Sequence, residues 1–201
     1  MIFKDNKLRK VSKMTLEHMV DGFCEGMNNI NVQNVESAAR LVLDTMNKKK
    51  NIFICGNGGS GANANLFAGI LSKTAKRNNY ESCILSLNSS MAAITSVAES
   101  EGYKQIFRSQ IENMTYPGDL LICISGSGNS PNILEAALAA HNLGIKVIGL
   151  TGMGGGKLSK MADIPVVVES DNMEQIENIH TAIIYAITLW VDEQSMAACK
   201  R

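Results

Sequence analysis

Two places in this chain run an apolar strand directly into a Gly/Ser loop and then a helix: residues 52–61 (IFICGNGGSG) and residues 120–130 (LLICISGSGNS). Such a junction leaves several backbone N–H groups exposed, and the positive end of the following helix points the same way. Each is therefore a ready anion site. The second loop adds hydroxyls at Ser125, Ser127 and Ser130, spaced by Gly126 and Gly128, and Ser130-Pro131 reads as an N-cap followed by proline at N1. Two such junctions in one small chain point to a phosphorylated small molecule.

The periodicities around them predict an alternating order. Leu16, Met19, Val20, Phe23 and Met27 fall on one helical stripe, and Val32, Val35, Ala39, Val42, Leu43 and Met46 repeat it after Asn31, an N-cap. Strands are expected at 52–55, 83–87, 120–124, 146–150 and 164–168. Helices fill 60–73, 91–114 and 131–143, and a last one runs from 172 to 196. Short apolar strands separated by helices make a parallel sheet covered on both faces. The fold class is α/β: a doubly wound, flavodoxin-like, five-stranded sheet of order 2-1-3-4-5. In that order the first and third strands are neighbours and ligands bind where the winding reverses. Residues 1–50 form N-terminal helices, 51–170 the sheet core and 171–201 the final helix of a single domain. Asp171 and Glu174 have capping-box spacing. Beyond them 182–191 (AIIYAITLWV) is apolar on nearly every side, so this helix is either buried at the centre of the fold or covered by a partner subunit.

The net charge of zero over 201 residues leaves no electrostatic footprint for nucleic acid. No apolar run approaches the roughly 20 residues of a membrane span. Residues 1–10 (MIFKDNKLRK) lack the apolar core of a secretory signal, so a cytoplasmic protein is expected. Five scattered cysteines, with no CxxC and no metal spacing, read as small buried residues of a reducing compartment.

Residues 56–61 match GxGxxG, but the next strand ends in Ser86-Leu87-Asn88-Ser89, without the acid a dinucleotide ribose requires. Residues 151–158 (TGMGGGKL) are too closely spaced for a P-loop and carry Leu158 in place of the magnesium-binding hydroxyl. No GxSxG elbow is present. His180 follows Glu177 by three residues on the last helix, so the pair shares a face, for capping and packing or for catalysis.

At 56–71 (GNGGSGANANLFAGIL) and 124–136 (ISGSGNSPNILEA) the chain resembles the sugar isomerase (SIS) domain family, and more closely its phosphoheptose isomerase branch. That branch interconverts sedoheptulose 7-phosphate and a heptose phosphate, and it includes non-catalytic relatives that regulate replication initiation. The resemblance implies a homotetramer with sites near subunit interfaces. It also implies a sugar-phosphate ligand, its phosphate on Ser125, Gly126, Ser127, Gly128 and Ser130, its sugar near Asn57, Gly58 and Ser60. Zinc-dependent members carry His and Glu where this chain has Leu66 and Ile70. Their second pair, Gln and His, falls on Glu177 and Tyr185 in one register and on Gln175 and Ile183 in the other. The family's Asp after the second strand is replaced by about Ser90, and its phosphate-loop Thr by Gly126. Too few ligands remain for the usual zinc site, so no metal or cofactor is expected. Aldose–ketose isomerisation then needs side-chain acid/base chemistry: Glu177 as base, His180 for the oxygen protons and Glu99 in reserve. The alternative reading is a catalytically silent phosphosugar sensor or scaffold.

Overall fold

A computed structural model of the chain describes residues 16–199. Two helices, α1 (Leu16–Asn28) and α2 (Val32–Asn47), precede β1 (Ile52–Gly56). Asn31 caps α2 as its position predicts, its side chain accepting from the Asn34 N–H. There follow α3 (Gly58–Arg77), β2 (Ile84–Ser86), α4 (Met91–Ser100), a 3₁₀ turn Tyr103–Gln105, and α5 (Arg108–Met114). After β3 (Leu120–Ser125) come α6 (Pro131–Asn142), β4 (Lys146–Thr151), α7 (Leu158–Met161), β5 (Ile164–Val167) and α8 (Met173–Cys199). The five strands are all parallel, in the order β2-β1-β3-β4-β5. No described helix is long and apolar enough to cross a membrane.

β1 and β3 are buried at every position, so they read as continuous apolar runs, and their period of two divides side chains between two cores. Ile52, Ile54, Leu120, Ile122 and Ile124 face one core with α2, α3 and α8. Phe53, Cys55, Leu121 and Cys123 face the other with α5 and α6. The Cys55 and Cys123 thiols lie 3.8 Å apart on registered positions. The hydrogen bond with Cys123 and then burial push the Cys55 thiol up, so it stays neutral.

Two expectations are corrected. Cys83 precedes β2 and is exposed, as is Cys24, because among the described residues the edge strand and the outer side of α1 are left uncovered. The helical segments expected across 91–114 are α4, the 3₁₀ turn and α5, divided where Gly102 takes φ +91°, outside any helix. The cap of α8 is Asn172 and not Asp171: Ser170 accepts from the Asn172 N–H, turning the chain one residue later, and Asn172 accepts from the Gln175 N–H at 2.9 Å. Within the single chain, α8 has both a buried and an exposed side. Ile183, Ile184, Ile187 and Val191 enter the core, while Tyr185 and Leu189 stand 47% and 61% exposed.

At the opposite end of the sheet from the two loops, Asp119 is buried and joins two segments. Its carboxylate accepts from the Asn51 N–H at 2.8 Å and the Tyr116 N–H at 2.9 Å. Asp119→Ala leaves both donors unpaired at the start of the two central strands. Losing two part-buried hydrogen bonds to a charged acceptor, about 1.5–3 kcal/mol each, predicts a clearly lower urea midpoint at unchanged slope.

Candidate functional site

Because β1 and β3 are hydrogen-bonded neighbours, the loops at their C-terminal ends open into one crevice at the point where the winding reverses. Asn57 precedes α3 and Ser130 precedes α6, yet neither side chain caps its helix. The first N–H groups of both helices are thus left without a side-chain acceptor. Between them lies a cleft of about 220 Å³. Asn57, Gly58 and Ser60 line it from the first loop, and Ser125, Gly126, Ser127 and Ser130 from the second. Met173 and Glu177 close it from α8.

The second loop keeps donors available. Ser127 Oγ accepts from the Asn129 N–H, which leaves its own O–H free, and Ser125 donates to the Ser130 hydroxyl at 3.3 Å. Ser130 stands at the N-cap position of α6, as its place before Pro131 predicts, but its side chain does not accept from the helix; it accepts from Ser125 instead. Gly128 does not line the cleft. Its φ is +62°, and a Cβ there would collide with the Gly155 carbonyl, so it is the point at which the loop crosses the glycine-rich turn after β4. That turn, which fails as a P-loop, holds the loop from behind. Gly152 N–H donates to Gly126 O and Leu158 N–H to Gly128 O, both at 2.9 Å. Gly126 is required for a different reason: the thioether of Met173 occupies the space a Cβ would need.

The first loop is also fixed from outside itself. Asn88, just after β2 where a dinucleotide site would carry a ribose-binding acid, grips the Gly56 backbone, donating to its carbonyl at 2.8 Å and accepting from its N–H at 3.2 Å. Asn57 pairs reciprocally with Asn132, and Tyr103 donates to Asn57 Oδ1 at 3.0 Å. Ser90 caps α4 through its hydroxyl and takes no part in the cleft. None of Asn88, Tyr103 or Asn132 was singled out from the sequence. Their partners are distant in the chain, and only the strand order could have suggested them.

The carboxylate of Glu177 lies against Gly59 in the first turn of α3, so closely that a Cβ at Gly59 would collide with it. The two loops are therefore not equivalent anion sites: the first already faces the chain's own carboxylate. The Glu177 backbone carbonyl accepts from Asn63 Nδ2 at 2.9 Å and from the Thr181 hydroxyl at 3.1 Å, which ties α8 to α3. His180 is brought elsewhere. It is fully buried, does not line the cleft, and donates from Nε2 to the Thr151 carbonyl at 3.1 Å, while Nδ1 has no partner. Burial lowers its pKa from 6.5 to about 4, against an opposing effect of the Thr151 hydrogen bond, so the ring is neutral. Glu99 is exposed on α4 and does not line the cleft either.

A family model for the SIS domain matches residues 17–152. The chain belongs to the SIS domain family. The phosphoheptose isomerase of Campylobacter concisus is 36% identical over 186 residues, spanning 92% of this chain and 97% of that protein. Among solved structures, the phosphoheptose isomerase GmhA of Neisseria gonorrhoeae superposes with a TM-score of 0.79 at 32% identity, covering 88% of this chain and 98% of that one. The Francisella tularensis phosphoheptose isomerase gives 0.78 at 32% identity, covering 88% and 94%.

The positions that the resemblance sets against the zinc ligands of the family's zinc-dependent members have the following surroundings. Leu66 and Ile70 are half-buried hydrocarbons on α3, and Ile70 packs against the core. Ile183 is buried, Tyr185 carries no imidazole, and Gln175 accepts from the Ser170 hydroxyl. Glu177 alone offers a carboxylate, and among the described residues no group of three or more His, Cys, Asp or Glu converges.

The buried ring of His180 makes stability depend on pH. The unfolded chain protonates this residue near 6.5 and the folded chain only near 4. Between those values the unfolded state binds the extra proton, so the unfolding free energy is full above pH 6.5 and falls as pH drops toward 4. The drop contributed by this group is about 3 kcal/mol. Denaturant titrations at pH 7 and pH 4.5 measure it, and His180→Asn is expected to flatten the difference.

Proposed function

We propose that this SIS domain is a sugar-phosphate aldose–ketose isomerase of the phosphoheptose type, working in the cytoplasm without zinc, with sedoheptulose 7-phosphate as ketose substrate. One observation carries the reading: a hydroxyl-rich loop suited to a phosphate and a carboxylate suited to proton transfer share a single cleft. The phosphate rests on Ser125, Ser127 and Ser130 and on the N–H groups at the start of α6, where hydrogen bonds to a charged acceptor are worth about 1.5–3 kcal/mol each. The sugar then extends toward Asn57, Ser60 and Glu177. Glu177 takes the proton from C1 of the ketose, the electron pair moves into a C1–C2 double bond, and the C2 oxygen gains the charge of an enediolate. The same carboxyl returns the proton at C2, and the oxygen proton passes from O1 to O2. The N–H groups at the start of α3 stabilise the oxyanion. His180 acts as a positioning residue that ties α8, and with it Glu177, to the end of β4.

A second reading, a sensor that binds a sugar phosphate without turning it over, is favoured by the hydrocarbons at Leu66 and Ile70. A turnover assay with heptose, hexose and pentose phosphates, run with and without chelator, separates the two. Metal-independent turnover that falls about 10²–10⁴-fold in Glu177→Gln, with binding retained, is the expected result. Chelator-sensitive turnover overturns the zinc-free mechanism, full activity in Glu177→Gln overturns the assigned base, and binding without turnover leaves the sensor.

Apolar exposure supports the oligomer that the resemblance implies. Leu16, Val20, Tyr185 and Leu189 stand 82%, 60%, 47% and 61% exposed on α1 and α8, more than a monomer's surface usually carries on adjoining helices. We expect a homotetramer. Light scattering at micromolar concentration should return the mass of four chains, and the mass of one chain defeats the claim.

A further inference from the structure

The amide of Asn57 is held by three hydrogen bonds. Its Oδ1 accepts from Asn132 Nδ2 at 2.8 Å and from the Tyr103 hydroxyl at 3.0 Å, and its Nδ2 donates to Asn132 Oδ1 at 2.9 Å. A primary amide has two lone pairs on oxygen and two N–H donors. Both lone pairs and one N–H are therefore engaged, and a single N–H is left for a ligand in the cleft that Asn57 lines. Asn132 is buried, so its half of the pair cannot swing out to solvent. Tyr103 is the opposite: 57% exposed, on a one-turn 3₁₀ segment entered through the positive φ of Gly102.

Two ion pairs to one carboxylate hold that exposed segment and the start of α5 against α6. Lys104 Nζ meets Glu135 Oε1 at 2.8 Å, and Arg108 Nη1 meets Glu135 Oε2 at 2.9 Å. Glu135 lies three residues after Asn132 on α6, so the 3₁₀ turn and α6 are stapled together beside the amide they both reach. The phosphate loop is supported separately, by the glycine-rich turn after β4.

We propose that Tyr103 is a positioning residue whose hydroxyl locks the Asn57 amide as a donor toward the sugar. With Asn132 pairing one edge of the amide and the Tyr103 hydroxyl occupying the second lone pair of Oδ1, the group left for the cleft is an N–H, so the cleft reads an acceptor oxygen of the ligand's carbon chain, a carbonyl or a hydroxyl. The bare phosphate group does not depend on this contact. The inference rests on the sugar-phosphate reading above and assigns the part of the cleft that distinguishes a sugar phosphate from phosphate alone.

Isothermal titration of the full chain with two probes, inorganic phosphate and sedoheptulose 7-phosphate, tests it. Tyr103→Phe and Tyr103→Ala should weaken sedoheptulose 7-phosphate equally, by about two- to tenfold, the value of one neutral hydrogen bond, and leave inorganic phosphate unchanged. The exposure of Tyr103 keeps both variants foldable, which an unchanged melting temperature verifies. If Tyr103→Phe binds the sugar phosphate like the wild type, or if both probes weaken together, the positioning role is overturned. Ser127→Ala with Ser130→Ala serves as the reference and should weaken both probes. A wild-type chain that takes neither probe overturns the function proposed above together with this inference, whereas an unaffected Tyr103→Phe alongside a weakened serine variant overturns only this one.

Discussion

The parallel pairing of β1 with β3 spans sixty-eight residues of chain, and every feature of the cleft depends on it. It registers Cys55 against Cys123 and Gly56 against Ile124, so that both loops leave the sheet at the same level. With β2 on one side and β4 on the other, the chain turns to opposite faces after the two strands, and α3 and α6 begin from the same edge. A slip of one residue would exchange the side chains of the two cores, which is why the register is secure. Asp119 closes the far end of the same pair through the Asn51 and Tyr116 N–H groups.

α8 completes the site because it is long enough to reach from the core to the cleft. Its 27 residues span about 40 Å at 1.5 Å per residue. Ile176, Ile179 and Ile183 pack into the sheet-side core, His180 ties the helix to Thr151, and Glu177 sits on the adjoining side, against α3. Residues three apart on a helix differ by about 60° in direction. That angle is small enough for Glu177 and His180 to count as one face in sequence, and large enough here to send one to the ligand and the other into the core.

How much could be read from the chain follows the range of the interactions. Strand positions, the Asn31 cap and the strand order were legible, since burial on both faces writes itself as continuous apolar runs and capping acts within three residues. Placing the Ser-rich loop at the crevice was legible for the same reason. The cap of α8 was missed by one residue because Ser170 competes for the turn. The roles of Asn88, Asn132 and Tyr103 were not legible, because an amide's meaning is set by its partner, and here each partner lies across the winding point. For His180 the sequence left packing and catalysis both open, because periodicity gives a face without saying how deep that face lies.

Glu177 and the enediolate it would generate share one source of positive potential. Before proton transfer the charge is on the carboxylate beside the first turn of α3. In the proposed isomerisation the carboxyl would then be neutral and the charge would be on the substrate oxygen in the same cleft. The helix N-terminus therefore faces one negative charge throughout, displaced by a few ångströms, and need not stabilise a second one. A zinc ion would be the stronger electrophile, but beside Leu66 and Ile70 it would lack ligands. Charge conservation at a fixed dipole is the contribution that this set of residues can make in its place. It also explains why Gly59 has no side chain: any Cβ would push the carboxylate off the helix end.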